Sequence, residues 1–227
     1  MRVHMPAMRG RSGQLGTPDR ILLRCGMVAG PLFITTVLVE GARRPGYDPR
    51  RHPVSSLALG PRGWIQAANF TVTGALYLAL AAGLARTQDQ EAESHAGPVL
   101  TGAAAVGLLG AGAFTTDPVS GYPPGSPDAP GRYSTRGALH DLFSVPTFIG
   151  LPAAALCYAR AFLRSGDRGW AAYSAGSALV MLTGAGLASA AFGQLPALVN
   201  HGGLFQRASV TTGFAWLTAL ATRRLHQ

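Results

Sequence analysis

Six long apolar segments follow one another along the chain and alternate with short polar intervals. Each is close to the length of about 17–25 residues that an α-helix needs to cross a bilayer. The pattern predicts an all-α fold, a polytopic membrane bundle of six transmembrane helices. The last segment is the weakest, because Gln206 and Arg207 lie in its first turn. The segments are residues 21–41, 64–85, 98–115, 139–162, 170–192 and 204–221.

The six segments are close together in the sequence, and we expect residues 21–224 to form a single transmembrane domain. The preceding residues 1–20 read MRVHMPAMRGRSGQLGTPDR. This stretch is basic and contains several glycines and prolines, which favour irregular backbone. We therefore expect a disordered N-terminal tail.

The composition indicates whether the protein's partner is nucleic acid or the lipid bilayer. Charged residues make up 13% of the 227, against about 25% in an ordinary soluble domain. The formal net charge is +9, and every basic residue other than histidine is an arginine. In a soluble protein this charge would suggest nucleic acid. Here the arginines lie at segment ends and in loops, where they meet lipid headgroups. The predicted partner is the lipid bilayer, and nucleic acid is excluded.

Arginine placement predicts the orientation, since cytoplasmic loops carry the excess of basic residues. With the N-terminus inside, eleven arginines lie on the cytoplasmic side and eight lie outside. We therefore expect an N-in/C-in, multi-pass protein of the cell (plasma) membrane. The stretch RRPGYDPRRHPVSS at residues 43–56 opposes this bias, because it places four arginines outside.

Side chains capable of chemistry concentrate in the loops after the first, third and fifth segments, and these loops share one end of an antiparallel bundle. The other loops read RTQDQEAESHAG and RSGDRG and are ordinary hydrophilic connections. The sequence therefore predicts a polar His/Asp/Glu/Arg pocket at the extracytoplasmic mouth. The expected catalytic residues are His140, Asp117, Glu40, His52 and His201. The expected substrate-binding residues are Asp48, Ser55, Asn69, Asp141, Asn200, Gln206 and Arg207.

Imidazole and carboxylate groups at a membrane interface suit acid–base chemistry on a lipid or isoprenoid-like substrate. A divalent metal that activates water is a second interpretation, with His52, His140 and His201 as ligands. The chain contains no HxxxH or HExxH spacing to support it. A heme held by His140 and His201 is a third. The non-enzymatic alternative is an accessory, sensor or small transport protein. The mostly Ala, Gly, Leu and Val mid-segment positions argue against transport.

Several candidates also have structural interpretations. Asp48 in GYDP and Asp117 in TTDP suit turns or helix ends, and Arg207 can extend to lipid headgroups. Glu40 is harder to explain in this way, because an uncompensated charge at an apolar boundary is costly.

His140 and Asp141 are neighbours at the predicted start of the fourth helix, so their side chains point about 100° apart. We expect Asp141 to stabilise the first helical turn through the helix dipole. We expect His140 to lie within side-chain reach of at least one of Asp117, Glu40, His52 and His201.

Four separated motifs also resemble a known family. They are PGYDPRRHPVSSLALGPRGWIQAANF, TDP, HD at the start of the fourth segment, and GLFQR at the start of the sixth. In this order they resemble the prokaryotic membrane family known as domain of unknown function 998. The family's H-x-[IV]-S-x-L pattern fits His52, Ser55 and Leu57. The resemblance covers roughly residues 20–224 and implies a multi-helix membrane protein, without an established activity.

Overall fold

The computed structural model describes residues 15–87, 95–129 and 131–227. The long elements in these ranges are all helices. They are α1 (Thr17–Arg43), α2 (Gly63–Thr87), α3 (Ala96–Ala113), α4 (Thr135–Val145), α5 (Leu151–Arg164), α6 (Arg168–Phe192) and α7 (Gly202–Leu225). A π-helical turn, Pro146–Gly150, joins α4 and α5 into one span. Short 3-10 turns cover Val54–Ala58 and Val199–His201. The all-α prediction is confirmed over the described residues.

Two boundaries differ from those expected. Helix α1 begins at Thr17, so residues 17–20 of the expected tail are helical, and Pro18 suits a first turn because its missing N–H would be unpaired there. Residues 1–14 of that tail lie outside the described residues. Helix α4 begins at Thr135, because Ser134 is its N-cap and accepts a hydrogen bond from the Gly137 amide at 2.9 Å.

Five of these helical spans are long and apolar enough to cross a membrane, among the residues that the structure describes. They are α1, α2, α3, the continuous span Thr135–Arg164, and α6. Helix α7 is not among them, although it corresponds to the sixth apolar segment. It carries Gln206 and Arg207 near its start and Arg223 and Arg224 near its end. The apolar helices are those of a membrane protein.

The helices pack in an order that leaves one seam open. Helix α2 packs on α1 and α3, and α7 packs on α1 and α6. Helix α5 packs on α6, whereas α4 packs chiefly on α3. The π-helical turn separates these two halves of one span. Helices α4 and α6 do not pack closely on each other, so the seam between them is open.

Glycines on α3 determine how closely α4 approaches it. A Cβ added at Gly107 would lie 2.5 Å from the carbonyl oxygen of Phe143, and one at Gly110 would overlap the ring of Phe143. Small residues allow this backbone contact between helices in lipid. The position of α4, which carries two of the candidate site residues, thus depends on two missing side chains.

We expect Gly107→Ala to destabilise the fold by about 1–3 kcal/mol, the usual cost of overpacking, since a backbone carbonyl has little freedom to move aside. The matched control is Gly176→Ala on α6, where nothing lies within 4 Å of the added Cβ. The control should be neutral or stabilising, because alanine favours helix over glycine. Thermal unfolding in detergent measures both. Equal changes in Tm for the two variants would contradict this packing.

Candidate functional site

The three loops predicted to share one end of the bundle do meet there, and Arg51 joins them. Its Nε donates to the Ser120 carbonyl at 3.0 Å, and its Nη1 donates to Asn200 Oδ1 at 2.7 Å. Its Nη2 forms an ion pair with Asp128 at 2.7 Å. One guanidinium thus connects the loop after α1 to the loops before α4 and α7. We call this end of the bundle the loop end.

The first turn of α7 docks on the loop after α1 through backbone groups. The amides of Gly203 and Leu204 donate to the carbonyls of Arg51 and Arg50 at 3.1 and 2.9 Å. The first amides of a helix have no partner within the helix, so this loop satisfies two of them. A Cβ at Gly203 would overlap the His52 carbonyl, which explains the glycine there.

Two predicted substrate-binding residues on α7 hold the same loop. Gln206 Oε1 accepts from the Val54 amide at 2.7 Å. Arg207 Nη1 donates to the carbonyls of Pro49 at 2.6 Å and His52 at 3.1 Å. Arg207 therefore has a structural role at this end, and it does not extend outward as the headgroup interpretation supposed.

Glu40, a predicted catalytic residue, is enclosed by two arginines. It is 4% exposed, and its carboxylate lies 2.6 Å from Arg62 Nη2 and 3.4 Å from Arg44 Nε. Arg44 also donates to the carbonyls of Leu57 and Leu59, both at 2.8 Å. The buried charge is compensated, and the cluster fixes the 3-10 turn Val54–Ala58. Glu40 does not line the cavity described below.

His52 is buried under the same loop. Its Nδ1 accepts from the Asp48 amide at 2.8 Å, and its ring packs against those of Tyr47 and Tyr122, with ring centres 5.5 and 5.2 Å away. Burial lowers the pKa of His52 below its usual value of 6.5, and the nearby Asp48 charge opposes this only partly. Asp48 itself accepts from the Arg50 amide at 2.8 Å, which is the turn-forming role.

The three candidate histidines occupy separate environments. His201 Nε2 lies 3.3 Å from Arg50 Nη2 at the surface of the loop end, His52 is buried under the loop, and His140 lies deeper. Over residues 15–87, 95–129 and 131–227, no three His, Cys, Asp or Glu side chains are grouped to hold a metal ion. The structure therefore does not bring together the ligands that the metal and heme hypotheses need.

A cavity of about 660 Å³ lies between α3, α4, the π-helical turn, α6 and α7. Its walls are largely apolar and include Phe33, Phe70, Phe148, Phe192 and Phe214. Five predicted site residues line it: His140, Asp117, Asp141, Ser55 and Gln206. Glu40, His52, His201, Asp48, Asn69, Asn200 and Arg207 are not among its lining residues.

His140 is held in one orientation by the end of α3. Its Nδ1 lies 2.9 Å from the Phe114 carbonyl and 3.2 Å from the Ala111 carbonyl. Carbonyl oxygens only accept hydrogen bonds, so Nδ1 carries a proton, and in the neutral ring Nε2 keeps a lone pair. The side chain is 3% exposed and lines the cavity, against the edge of the Phe70 ring. This geometry leaves Nε2 as the group able to take a proton.

Asp117 lies over the first turn of α4. Its Oδ2 accepts from the Ser134 amide at 2.7 Å, and an added Cβ at Gly137 would overlap the carboxylate. The positive end of the helix dipole favours a negative charge there. Asp117 thus has the helix-end role considered from the sequence, and it also lines the cavity.

Asp141 is not in the first turn, contrary to expectation, because α4 begins six residues before it. Its side chain is exposed, while that of His140 is buried, as the angle between neighbours on a helix predicts. Asp141 lies close enough to His140 and Asp117 to interact electrostatically with both. The cavity mouth therefore carries two carboxylates and one imidazole.

Sequence reasoning missed a polar stripe on α2. Gln66, Asn69, Thr73 and Tyr77 recur every three or four residues and are at most 5% exposed. Asn69 Nδ2 donates to the Phe33 carbonyl at 3.2 Å. Gln66 Nε2, Asn69 Oδ1, Thr73 Oγ1 and Tyr77 Oη have no hydrogen-bond partner among the described protein groups. The spacing of these residues was a usable signal, and it qualifies the view that mid-segment positions lack polar groups.

The pKa of His52 makes the loop end sensitive to acid. A lowered folded-state pKa means that the unfolded chain binds the proton more readily, so His52 contributes its full stabilisation above pH 6.5 and loses it as the pH falls below that value. Protonation of Nδ1 also removes the acceptor for the Asp48 amide.

We therefore expect the Tm in detergent to fall between pH 7.5 and 5 by more in the wild type than in His52→Gln, whose side chain does not titrate. His201→Gln, which alters a histidine whose bond to Arg50 is at the surface, should behave as the wild type does. A pH dependence that is unchanged in His52→Gln would mean that another group titrates.

Comparison with known proteins identifies a family but no characterised relative. No curated protein and no solved structure matches the chain. The sequence model of a family described as "Protein of unknown function (DUF998)" matches residues 27–223. That range covers nearly the whole chain, including all four motifs noted in the sequence. The chain therefore belongs to the DUF998 family.

Proposed function

We propose that this protein is a single-domain, six-helix protein of the plasma membrane that binds a lipid or isoprenoid-like chain and acts on its head group by acid–base chemistry. The observation that carries the proposal is His140. Its Nδ1–H is fixed by two backbone carbonyls, which leaves a basic Nε2 in a largely apolar cavity of about 660 Å³. A positioned imidazole of this kind is suited to act as a general base.

The sixth span in this proposal is α7. It has 24 residues, so it is about 36 Å long, enough to cross a hydrocarbon core of about 30 Å. It packs between α1 and α6, which are both apolar candidate spans. Its inward polar groups are used internally; for example, Ser209 Oγ donates to the Met181 carbonyl at 2.8 Å. These contacts offset the low hydropathy of the segment.

The proposed orientation is N-in/C-in, with the loop end outside the cell. The orientation bias is counted in arginines, eleven in the segments assigned to the cytoplasm and eight in those assigned outside, and carboxylate partners change this count little. The pairs of Arg44 and Arg62 with Glu40, and of Arg51 with Asp128, give three of the outside arginines a structural reason to be there.

Entry from the bilayer is supported by the open seam between α4 and α6. Leu142, Val145 and Ile149 are exposed along this side of the span, and Val145 and Ile149 also line the cavity. An apolar chain can then pass from lipid into the cavity while its head group stays near His140. A chain that enters sideways does not need to cross the ordered loops.

In the proposed chemistry, a hydroxyl or water placed beside His140 gives up its proton to Nε2. The imidazolium that forms keeps its Nδ1–H bonds to Ala111 and Phe114. The nearby carboxylates Asp117 and Asp141 stabilise that positive charge. The role of this chain is to hold the head group, accept the proton and exclude bulk water.

A second candidate is transport, the non-enzymatic alternative, and the α2 stripe favours it. Gln66, Asn69, Thr73 and Tyr77 place unpartnered polar atoms along about 16 Å of helix inside the bundle. Polar groups near the midplane are typical of transporters. None of these four residues lines the cavity that contains His140.

The orientation is tested with phosphatase fusions at Gly125, in the loop before α4, and at Gly166, in the turn between α5 and α6. We expect the Gly125 fusion to be active outside the cell and the Gly166 fusion to be inactive, because the two sites lie at opposite ends of the bundle. Activity of the Gly166 fusion alone would reverse the proposed orientation.

Chain binding is tested by mass spectrometry of lipid that copurifies with the protein. Gly186→Trp should fill the cavity, because Gly186 lines it and has free space around it, and bound lipid should fall about tenfold or more. Gly176→Trp is the control, since the same bulky residue there lies on an exposed face of α6. Equal lipid in both variants would rule out the cavity as the binding site.

The same experiment separates enzyme from binding protein. His140→Asn keeps an amide N–H for the Phe114 carbonyl but removes the basic nitrogen. It should retain lipid binding and Tm, while any lipid product made by cells expressing the wild type should fall about 100-fold or more. Lipid profiles that do not differ between cells with and without the wild-type protein would leave binding or transport as the function.

A further inference from the structure

The charges around the cavity point to a particular head group. We infer that the ligand carries an uncharged or cationic head, an alcohol or an ammonium group, and not a phosphate. This inference rests on the proposed function, in which the cavity binds a lipid chain. It adds the chemistry of the group that lies beside His140.

The first support is the set of ionisable side chains that line the cavity. Asp117, Asp141 and His140 are there, and none of the described lining residues is an arginine. The chain has no lysine, and its net charge of +9 comes from 19 arginines. Phosphate recognition in proteins depends on arginine and lysine, which donate to its oxygens. Although the protein is very basic, its described arginines lie outside the lining of this cavity.

The second support is that Arg51 and Arg207, which hold the loop end together, already have partners. Arg51 donates to Ser120, Asn200 and Asp128. The guanidinium of Arg207 donates to backbone carbonyls, among them that of Pro49. Neither guanidinium can turn toward a ligand without releasing the loop that it holds.

The third support is the N-terminus of α4. The first amides of a helix are a common place for a phosphate. Here the Asp117 carboxylate occupies that place, with Oδ2 accepting from Ser134 N at 2.7 Å and Gly137 making room for it. A ligand phosphate would have to displace Asp117 and would be repelled by Asp141 as well.

The charged side chains that line the mouth are hydrogen-bond acceptors, and the donors that remain on the lining, from Ser55, Ser189, Tyr133 and Gln206, are neutral. His140 Nε2, Asp141 and the remaining lone pairs of Asp117 can each accept a hydrogen bond. The Ser144 hydroxyl is not free to donate to a ligand, because it donates to the His140 carbonyl at 2.8 Å. An alcohol supplies one O–H donor, and an ammonium supplies three N–H donors and a compensating charge. Both complement this mouth, and a phosphate, which brings only acceptors when ionised, does not.

Arg132 and Arg136 are the two arginines near the cavity mouth that could bind a phosphate head group. Both are exposed, and they flank Tyr133, which lines the cavity, although neither of them does. A phosphate ligand would have to be recruited by these two side chains from outside the cavity mouth. They are therefore included in the test.

The test uses three probes with one farnesyl chain: farnesol, farnesylamine and farnesyl phosphate. Binding to the purified full-length protein in detergent is followed by the rise in Tm with probe concentration, which reports affinity. Gly186→Trp, with a filled cavity, corrects for effects of each probe on the micelle. We expect farnesol and farnesylamine to bind about tenfold or more tightly than farnesyl phosphate, because like charges repel at the mouth.

Asp141→Asn should weaken farnesylamine severalfold and leave farnesol nearly unchanged, while Arg136→Gln should change neither. Tighter binding of farnesyl phosphate, lost in Arg136→Gln, would overturn the inference and leave chain binding intact. Equal binding of all three probes to the wild type would also overturn it, because the protein would then not distinguish between head groups. If no probe distinguishes the wild type from Gly186→Trp, chain binding fails and the inference fails with it.

Discussion

The three bonds of Arg51 are the constraint on which the loop end depends. Its side chain reaches residues 69, 77 and 149 positions away in the sequence. A guanidinium has five N–H donors in a fixed plane, so one side chain can satisfy partners in three directions. Without it, nothing else described in the structure ties Asp128 and Asn200 to the loop after α1 through a single group. The path of the loop before α4, and hence the position of Asp117, follows from this contact.

The stretch RRPGYDPRRHPVSS explains why a membrane protein has so much charge between two helices. Its arginines and Asp48 mainly bind backbone carbonyls, amides and other loop side chains. A loop that covers the end of a bundle must pair its own buried polar groups, and charged side chains make the stronger hydrogen bonds for this. The cost of burying Glu40 is offset in the same way, by two arginines. Most of the predicted site residues in this stretch therefore have structural roles.

The helices and the meeting of the three loops could be predicted from the sequence, because hydropathy and the alternation of direction determine both. The pairing of Arg51 with Asp128 could not, since nothing local relates residues 77 positions apart. The start of α4 was misplaced because its first turn, TRGA, is polar, although Ser134 before it was an available N-cap signal. The orientation of His140 depends on carbonyls at the end of α3, which only the packing of α3 on α4 reveals.

The contacts of the loop end differ in kind from those of the opposite end. Arg44, Arg51 and Arg207 donate largely to neutral carbonyls, and Glu40 is shielded from solvent. At the other end, Arg86 pairs with Asp19 and Arg223 pairs with Asp167 through partly exposed groups. Dissolved ions weaken interactions between exposed charges, with a screening length of about 10 Å at 0.1 M, but they have little effect on bonds to neutral acceptors. Apart from the exposed Arg51–Asp128 pair, the loop end therefore depends less on ionic strength than the opposite end does, which agrees with the outward orientation proposed above.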